Sequence, residues 1–210
     1  MKQPLDTAVG QWVLIVLMFV VGAFSVFVFY DGSHGLVVIA NSGGYATDGH
    51  SLYFNDTVVT GADLRRFTVL NMDYSADGKH IYYQGGIVSG ADPVSFSIIP
   101  GSYYAKDAHG IYYNGALVSN DSKSFTLLNY YYATDTANVY FYGETVYGAD
   151  VSTFKLLGSS GYAGDTNNIY YDGEKITGAD VSTFILSSDE AGTYDAKDKN
   201  HTYSEGQIVN

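Results

Sequence analysis

The sequence contains no cysteine, which excludes disulfide frameworks, thiolate metal sites and cysteine nucleophiles. Basic residues are also scarce, because 10 Lys and Arg stand against 22 Asp and Glu and give a formal net charge of −12. Binding of nucleic acid requires clustered cations that neutralise phosphates, so we expect no nucleic-acid partner. Charged residues make up only 15% of the chain, and its 46% hydrophobic and 16% aromatic content is too high for a disordered protein. The sequence therefore predicts a folded, acidic and aromatic-rich chain.

One long apolar run lies near the start of the chain. No charged residue occurs from Thr7 to Tyr30, and residues 12–30 are almost wholly apolar. At 1.5 Å per residue this segment would reach about 28 Å as a helix, close to the thickness of the hydrocarbon core of a bilayer. We predict a short tail over residues 1–11, a transmembrane signal-anchor helix over residues 12–30 and a β-repeat domain over residues 31–210.

The cations flanking this run predict its orientation. Lys2 precedes the run, and the next Lys or Arg is Arg65. Because cytoplasmic flanks carry the excess of Lys and Arg, we predict a single-pass protein of the cell membrane whose repeat domain lies outside the cytoplasm, in the periplasm or at the cell surface. Cleavage after Ala23 is the alternative, but the residues that follow it up to Tyr30 would leave an apolar stub on the mature chain.

The rest of the chain is built from repeats. The repeated element is Tyr-Ala-x-Asp, four further residues, Tyr and a second aromatic residue, then Gly, a β-branched position, Gly-Ala-Asp and a Phe, and it recurs with substitutions in five strong copies and a degraded sixth. The aspartate of the first motif recurs at intervals of 29, 30, 28, 30 and 33 residues. Six units of this length predict a tandem repeat, since one unit is too small to bury an apolar face by itself. These six aspartates, which we call the turn aspartates, are Asp48, Asp77, Asp107, Asp135, Asp165 and Asp198.

The local pattern within each copy predicts β-hairpins. Residues 169–171 and 175–177 are short β-branched or aromatic segments separated by Asp172-Gly173, and Asn114-Gly115 occupies the same place in another copy. Such pairs supply the positive φ that tight hairpin turns require. We also expect a buried strand after each repeated Phe. The predicted fold is an all-β array of tandem hairpins, stacked openly like a solenoid, with propeller-like closure as the alternative.

These motifs resemble the DKNYY repeat family. The resemblance rests on the segment Asp198-Lys199-Asn200-His201-Thr202-Tyr203 and on the recurrent Asp-x-x-x-[Ile/Leu/Val]-Tyr-[Tyr/Phe] followed by Gly-Ala-Asp, over residues 36–210. In most copies other residues replace the Lys-Asn pair, as in Gly49-His50. Members of the family are mostly bacterial, extracytoplasmic or membrane-anchored proteins of unassigned function. The resemblance implies a similar location and supplies no catalytic residues.

The turn aspartates invite a metal-binding interpretation, which we do not favour. A calcium site needs six to eight oxygen ligands, usually from several carboxylates of one loop, whereas each loop here holds one such aspartate. A short Asp side chain at a turn more often accepts hydrogen bonds from nearby backbone N–H groups. We therefore assign the turn aspartates a structural role, and we expect no metal, no cofactor and no catalytic residues.

Two series of aromatic residues are the candidate binding surface. Successive residues of a strand point to opposite faces, so the two aromatics of each copy belong to different faces of a sheet. One series should lie in the core, and the other could form an exposed strip for sugar rings or a partner protein, although both series could be internal. The first ladder is Tyr53, Tyr82, Tyr112, Tyr140 and Tyr170, and the second ladder is Phe54, Tyr83, Tyr113, Phe141 and Tyr171.

Three functions remain open from the sequence. The first is a non-enzymatic interaction or structural module that binds protein or polysaccharide outside the membrane. The second is a subunit of a membrane complex or pilin-like filament, a homo-oligomer assembled through the apolar helix over residues 12–30. The third is a carbohydrate-active enzyme, which the repeated character of the carboxylates argues against, because an active site must break the repeat.

Overall fold

The computed structural model of the protein describes residues 37–39, 43–158, 161–187 and 195–209. These residues form 24 short strands arranged in six sheets, and they contain no helix. The prediction of an all-β tandem repeat is confirmed. The described part of the chain likewise includes no helix with the length and hydrophobicity of a membrane span. The predicted tail and anchor, residues 1–11 and 12–30, lie outside the described residues.

Each sheet is an antiparallel meander of sequence-adjacent strands. In the second copy, residues 68–69 pair with residues 74–76, which pair with residues 81–83, and these pair with residues 86–87. The last two strands are joined by a two-residue turn, Gln84-Gly85, with φ of 47° and 82°. Positive φ at both positions is the geometry of a type I′ turn, whose twist matches that of the flanking strands. The six copies therefore share one hairpin geometry.

The chain divides into two compact units, Met1–Ile98 and Ile99–Asn210. Unit 1 contains one sheet of strands β1 to β4 and one of strands β5 to β8. The strands of unit 1 are β1 Val37–Val38, β2 Tyr45–Thr47, β3 Leu52–Phe54, β4 Thr57–Val58, β5 Thr68–Val69, β6 Tyr74–Ala76, β7 Ile81–Tyr83, β8 Gly86–Ile87 and β9 Ser97–Ile98.

Unit 2 contains the remaining four copies of the repeat. Strands β10 to β12, β13 to β16, β17 to β20 and β21 to β24 lie in four successive sheets. These strands are β10 Tyr104–Lys106, β11 Ile111–Tyr113, β12 Ala116–Ser119, β13 Thr126–Leu127, β14 Tyr132–Thr134, β15 Val139–Phe141, β16 Glu144–Thr145, β17 Lys155–Leu156, β18 Tyr162–Gly164, β19 Ile169–Tyr171, β20 Glu174–Lys175, β21 Ile185–Leu186, β22 Ala196–Lys197, β23 Thr202–Ser204 and β24 Gln207–Ile208.

The core within each unit lies between neighbouring sheets. In unit 2, Tyr132, Val139 and Val146 of one sheet pack against Ala163 and Tyr170 of the next, and all five are buried. In unit 1, Tyr45, Leu52 and Val59 pack in the same way against Tyr82. A sheet of two- and three-residue strands has too little area to cover its own apolar side chains, so each copy depends on its neighbour for burial.

The strand after each repeated Phe is less buried than its apolar sequence predicts. Thr68 and Thr126 are exposed, and Val69 and Leu127 are only half-buried. The prediction of a buried strand at these positions is wrong, because each is the outer strand of its sheet and is covered on one face only. The segment before it forms a single turn in which the Phe154 N–H donates to the Asp150 carbonyl at 2.9 Å.

Candidate functional site: repeat junctions and an exposed tyrosine cluster

Every turn aspartate organises its own hairpin in the same way. Asp165 accepts hydrogen bonds on Oδ1 from the N–H groups of Asn167 and Asn168, at 2.7 and 2.8 Å, and on Oδ2 from the hydroxyl of Tyr170, at 2.9 Å. A carboxylate suits this geometry because both of its oxygens accept hydrogen bonds. One oxygen accepts the N–H groups of the turn, and the other accepts the hydroxyl of the first-ladder tyrosine. The same three bonds occur at Asp48, Asp77, Asp107, Asp135 and Asp198.

Turn aspartates inside a unit also bind the preceding copy. Asp77 Oδ2 accepts a hydrogen bond from the N–H of Asp63 at 3.0 Å, and Asp165 Oδ2 accepts one from the N–H of Asp150 at 2.9 Å. The donor belongs to the preceding Gly-Ala-Asp, whose own carboxylate caps its own turn, as Asp150 does with the hydroxyl of Thr153. At these junctions the backbone N–H of the Gly-Ala-Asp aspartate donates to the carboxylate of the turn aspartate. Both carboxylates therefore take part in structural hydrogen bonds.

At Asp198, which is half-buried, these hydrogen bonds keep the carboxylate ionised. For Asp198, burial acts to raise the pKa, but hydrogen bonds from the Asp180 N–H, the Tyr203 hydroxyl and the N–H groups of its own turn outweigh it and lower the pKa to about 2. Burial and the acceptance of a hydrogen bond by Asp198 also raise the pKa of Tyr203. The pair is therefore a carboxylate and a neutral phenol at neutral pH. Neither group is set up to exchange a proton there, which fits a structural role.

A second set of tyrosines, outside both predicted ladders, also joins the copies. The hydroxyl of Tyr132 accepts the N–H of Gly173 in the next hairpin turn at 2.7 Å, and Tyr45 does the same for Gly85 at 2.8 Å. The equivalent bonds at Tyr104 and Tyr162 are 2.8 and 2.9 Å long. Sequence analysis missed this role, although the signal is present as the invariant tyrosine of Tyr-Ala-x-Asp in these copies. Only the structure brings that tyrosine to a glycine about 40 residues away.

The second ladder lies beneath the same glycines. A Cβ atom added to Gly173 would lie 2.7 Å from the Cβ of Phe141, and one added to Gly85 would lie 2.7 Å from the Cβ of Phe54. Only a residue without a side chain allows the turn to approach the ring so closely. All five rings of the second ladder are half-buried: Phe54, Tyr83, Tyr113, Phe141 and Tyr171.

The first ladder lies largely in the core. Only Tyr53, in the first copy, is half-buried, whereas the other four rings have at most 2% of their surface exposed: Tyr82, Tyr112, Tyr140 and Tyr170. Because these hydroxyls bond turn aspartates, the rings offer nothing to a ligand. Of the predicted aromatic surface, only the half-buried second ladder and Tyr53 retain access to solvent.

Within the part of the chain that the structure describes, the most exposed group of neighbouring aromatic rings lies elsewhere, in unit 2. We name Tyr103, Tyr130, Tyr131 and Tyr142 the tyrosine cluster. The ring centroids of Tyr103 and Tyr130 are 5.1 Å apart, those of Tyr130 and Tyr131 are 5.4 Å apart, and those of Tyr131 and Tyr142 are 5.2 Å apart. Tyr103, Tyr130 and Tyr131 expose 47%, 45% and 37% of their surfaces. The four rings thus form one continuous aromatic surface.

Hydroxyl groups as well as ring faces are available in this cluster. The pKa of Tyr130 is raised to about 12, mainly by a hydrogen bond with the hydroxyl of Tyr103. A phenol hydroxyl, such as that of Tyr130, can both donate and accept hydrogen bonds. Behind the cluster, the half-buried rings of Tyr113 and Phe141 contact Tyr103 and Tyr131, with centroids 6.4 and 6.3 Å apart.

At the repeat positions of the cluster tyrosines, most other copies carry residues that are not aromatic. Gly44, Asp73 and Gly161 occupy the position that Tyr103 and Tyr131 hold in their copies, and the sixth copy has Tyr194 there. Tyr142 has a positive φ of 48°, in a turn position where the other copies carry polar residues, three of them Asn or Asp, which tolerate this conformation better. Those residues are Asn55, Gln84, Asn114, Asp172 and Glu205. The repeat fold therefore does not require these tyrosines.

The described residues contain no group of three or more His, Asp or Glu side chains that could hold a metal ion. A groove of about 530 Å³ lies between the last two copies, lined by Tyr171, Glu174, Lys175, Glu205 and their neighbours. Its lining comes from hairpin turns and exposed outer strands, with no turn aspartate among it. The tyrosine cluster is the candidate site that differs most from the repeat.

Comparison with known proteins agrees with the repeat geometry. The model of the DKNYY family matches residues 32–86, 45–171 and 162–210. The chain belongs to the DKNYY family. No curated protein and no solved structure matches the chain significantly. In the copy that retains Asp-Lys-Asn, the DKNYY aspartate is the turn aspartate Asp198, and Lys199 forms an ion pair with Asp180 of the preceding copy at 2.5 Å.

Proposed function

We propose that this DKNYY protein is a non-enzymatic binding module, anchored in the cell membrane and exposed outside the cytoplasm, that holds a protein or polysaccharide partner on its tyrosine cluster. The observation that carries the proposal is the exposure of three neighbouring tyrosines, Tyr103, Tyr130 and Tyr131, at positions where the repeat needs no aromatic residue. Contiguous exposed aromatic surface is a common feature of binding sites.

The energetic cost of the cluster supports this function. Exposed phenol rings gain little from burial, and a tyrosine with positive φ, such as Tyr142, costs free energy that Asn or Gly would avoid. The junctions between copies are made by other residues, among them Tyr132 and Gly173. Because the cluster takes no part in those hydrogen bonds, a role in binding accounts for its tyrosines better than a structural role does.

The polar side chains of the repeat support a non-enzymatic role. The turn aspartates are occupied by backbone N–H groups and tyrosine hydroxyls, as at Asp165, and the Gly-Ala-Asp carboxylates cap turns, as at Asp150. A general base must be free to accept a proton from a substrate. These carboxylates are committed to the fold instead.

The membrane anchor is supported by the apolar run over residues 12–30 and by the cation Lys2 before it. We expect the full chain to stay in membranes washed with alkaline carbonate and a variant lacking residues 12–30 to be released. Because the chain has no cysteine, Val94→Cys at a position that is 92% exposed gives a single reporter thiol. Labelling of this thiol by a membrane-impermeant maleimide in intact cells is expected, and labelling only after lysis would reverse the proposed orientation.

An open array, rather than a closed propeller, belongs to the same proposal. It is supported by junctions that join consecutive copies within each unit, such as Tyr45 to Gly85 and Tyr162 to Gly206. Units of about 29 residues are also shorter than the roughly 40 residues of common propeller blades. Small-angle scattering of the full chain should give an elongated particle, and a compact disc would contradict the open array.

The binding function can be tested by hydroxyl-radical footprinting of the full chain in its native envelope and after purification. A bound partner should protect Tyr103 and Tyr130 in the envelope and leave them reactive in the purified protein. Tyr147, which is 86% exposed and outside the cluster, is the internal control and should react equally in both. Equal reactivity of the cluster in both states would overturn the proposed function.

A further inference from the structure

We infer that the partner of the tyrosine cluster is an uncharged carbohydrate, whose sugar rings stack on the exposed phenol rings while its hydroxyls bond the tyrosine hydroxyls. The inference rests on the proposed function and names the class of ligand for that site.

The shape and chemistry of the cluster match those of a sugar. A pyranose ring has an apolar face of C–H groups and a rim of hydroxyls. The cluster offers ring faces on Tyr103, Tyr130 and Tyr131 and hydroxyls that both donate and accept hydrogen bonds. The rings of Tyr130 and Tyr131 are nearly perpendicular, with an angle of 89° between their planes. Two sugar rings in different orientations can therefore stack on Tyr130 and on Tyr131.

Charge argues for a neutral ligand. The cluster contains no Asp, Glu, Lys or Arg, and the groups that act electrostatically on Tyr130 are the other three tyrosines of the cluster. The carboxylate of Asp172 acts on Tyr142. A ligand with carboxylate, sulfate or phosphate groups would need Arg or Lys at the site, and it would also approach a chain of net charge −12.

The backbone argues against a peptide ligand. Tyr131 and Tyr142 lie in turns, after β13 and after β15, and not on the edge of a sheet. The Tyr142 N–H donates to the Tyr131 carbonyl at 3.0 Å, and the Tyr131 N–H donates to Asn129 Oδ1 at 2.8 Å. An extended peptide binds a sheet mainly through free backbone groups of an edge strand. These backbone groups are already engaged, so recognition falls to side chains, as it does for sugars.

The test is direct binding of neutral oligosaccharides to the full chain, purified in a detergent without a sugar headgroup. The probes are chitohexaose, cellohexaose and mannohexaose, measured by isothermal titration calorimetry, with a sulfated oligosaccharide as the charged comparison. We expect at least one neutral probe to bind and the sulfated probe not to bind. The double variant Tyr103→Ala/Tyr130→Ala should weaken that binding at least 10-fold, because two of the stacking faces are lost.

Tyr147→Ala is the matched control, since it removes an exposed tyrosine outside the cluster and should leave the affinity unchanged. Both variants must unfold at the wild-type urea concentration, which separates lost binding from lost folding. Binding that survives the double variant would overturn the site. If no neutral probe binds while the cluster stays protected in the envelope, the carbohydrate inference is wrong and the proposed function stands. If neither binding nor protection is found, both are wrong.

Discussion

Asp48 and Asp77 make the same bonds within their own hairpins, yet one is exposed and the other is completely buried. Each accepts two turn N–H groups and one tyrosine hydroxyl. Asp77 has a fourth bond, from the N–H of Asp63 in the preceding copy. The comparison separates two structural roles of the turn aspartate. The local bonds shape the hairpin, and the fourth bond joins neighbouring copies.

Removal of the carboxylate should therefore cost far more at Asp77 than at Asp48. In Asp77→Ala, three N–H groups and the buried hydroxyl of Tyr82 lose their acceptor, so we expect the free energy of unfolding to fall by about 3 kcal/mol or more. Asp48→Ala should lose clearly less, because water can replace the carboxylate there. Urea denaturation of the full chain measures both, and equal losses would show that the junction bond contributes nothing.

Glycine substitutions sharpen the same comparison. Gly85 and Gly90 both have positive φ, of 82° and 78°, but only Gly85 approaches a ring of the preceding copy. Gly90→Ala should cost about 1 kcal/mol for the backbone conformation alone. Gly85→Ala should cost a further ~2 kcal/mol, because its Cβ would lie 2.7 Å from the Cβ of Phe54. Denaturation midpoints measure the difference. If Gly85→Ala is no worse than Gly90→Ala, the copies are not closely packed there.

Acid should weaken the junction more than the local turn. Burial acts to raise the pKa of Asp77, but hydrogen bonds from Asp63 and from its own turn lower it well below the usual range. The unfolded chain therefore binds a proton at higher pH than the folded one. Stability should be complete above the ordinary Asp pKa of about 4 and fall as the pH decreases below it.

The pH experiment compares wild type with Asp77→Asn and Asp48→Asn. Denaturation midpoints recorded between pH 5 and pH 2.5 should decrease for the wild type and decrease less for Asp77→Asn, which no longer has this carboxylate to protonate. Asp48→Asn should follow the wild type more closely, since its carboxylate lacks the junction bond. A wild-type midpoint that stays constant over this range would rule out a contribution from buried carboxylates.

The smallest effect is expected from single hydroxyls. Tyr45→Phe removes the acceptor for the Gly85 N–H and should cost about 1 kcal/mol. Tyr53→Phe removes a bond to the exposed Asp48 within the same hairpin and should cost less. The ring packing is unchanged in both variants, so the difference compares the hydrogen bonds of the Tyr45 hydroxyl with the local bond of the Tyr53 hydroxyl. A larger loss in Tyr53→Phe would reverse the proposed ranking of junction and local bonds.

Much of the repeat was predictable from the residues. Asn114-Gly115 and Asp172-Gly173 predicted hairpin turns because their positive φ is a local property. The strand over residues 169–171 was placed correctly, whereas its partner, expected at residues 175–177, lies at Glu174–Lys175. Here the two-residue turn sets the register: Tyr171 pairs with Glu174, so the partner strand starts immediately after Gly173.

The site was less predictable. Alternation along a strand assigns Tyr170 and Tyr171 to opposite faces but does not say which face a neighbouring copy covers. Both are covered to different extents, Tyr170 completely and Tyr171 in part, by groups of adjacent copies such as Gly206. The tyrosine cluster did leave a signal, since Tyr103 and Tyr131 double the repeated tyrosines Tyr104 and Tyr132 in two copies only. That signal could not show that the doubled rings meet.

The sequence by itself determined the period, the hairpins and the hydrogen bonds within each turn, because these depend on residues close together in the chain. Only the tertiary structure decided which aromatic rings are buried, which glycine meets which ring and where tyrosines of two copies form one surface. Those contacts join residues about 30 to 40 positions apart, and the stacking of one copy on the next brings them together.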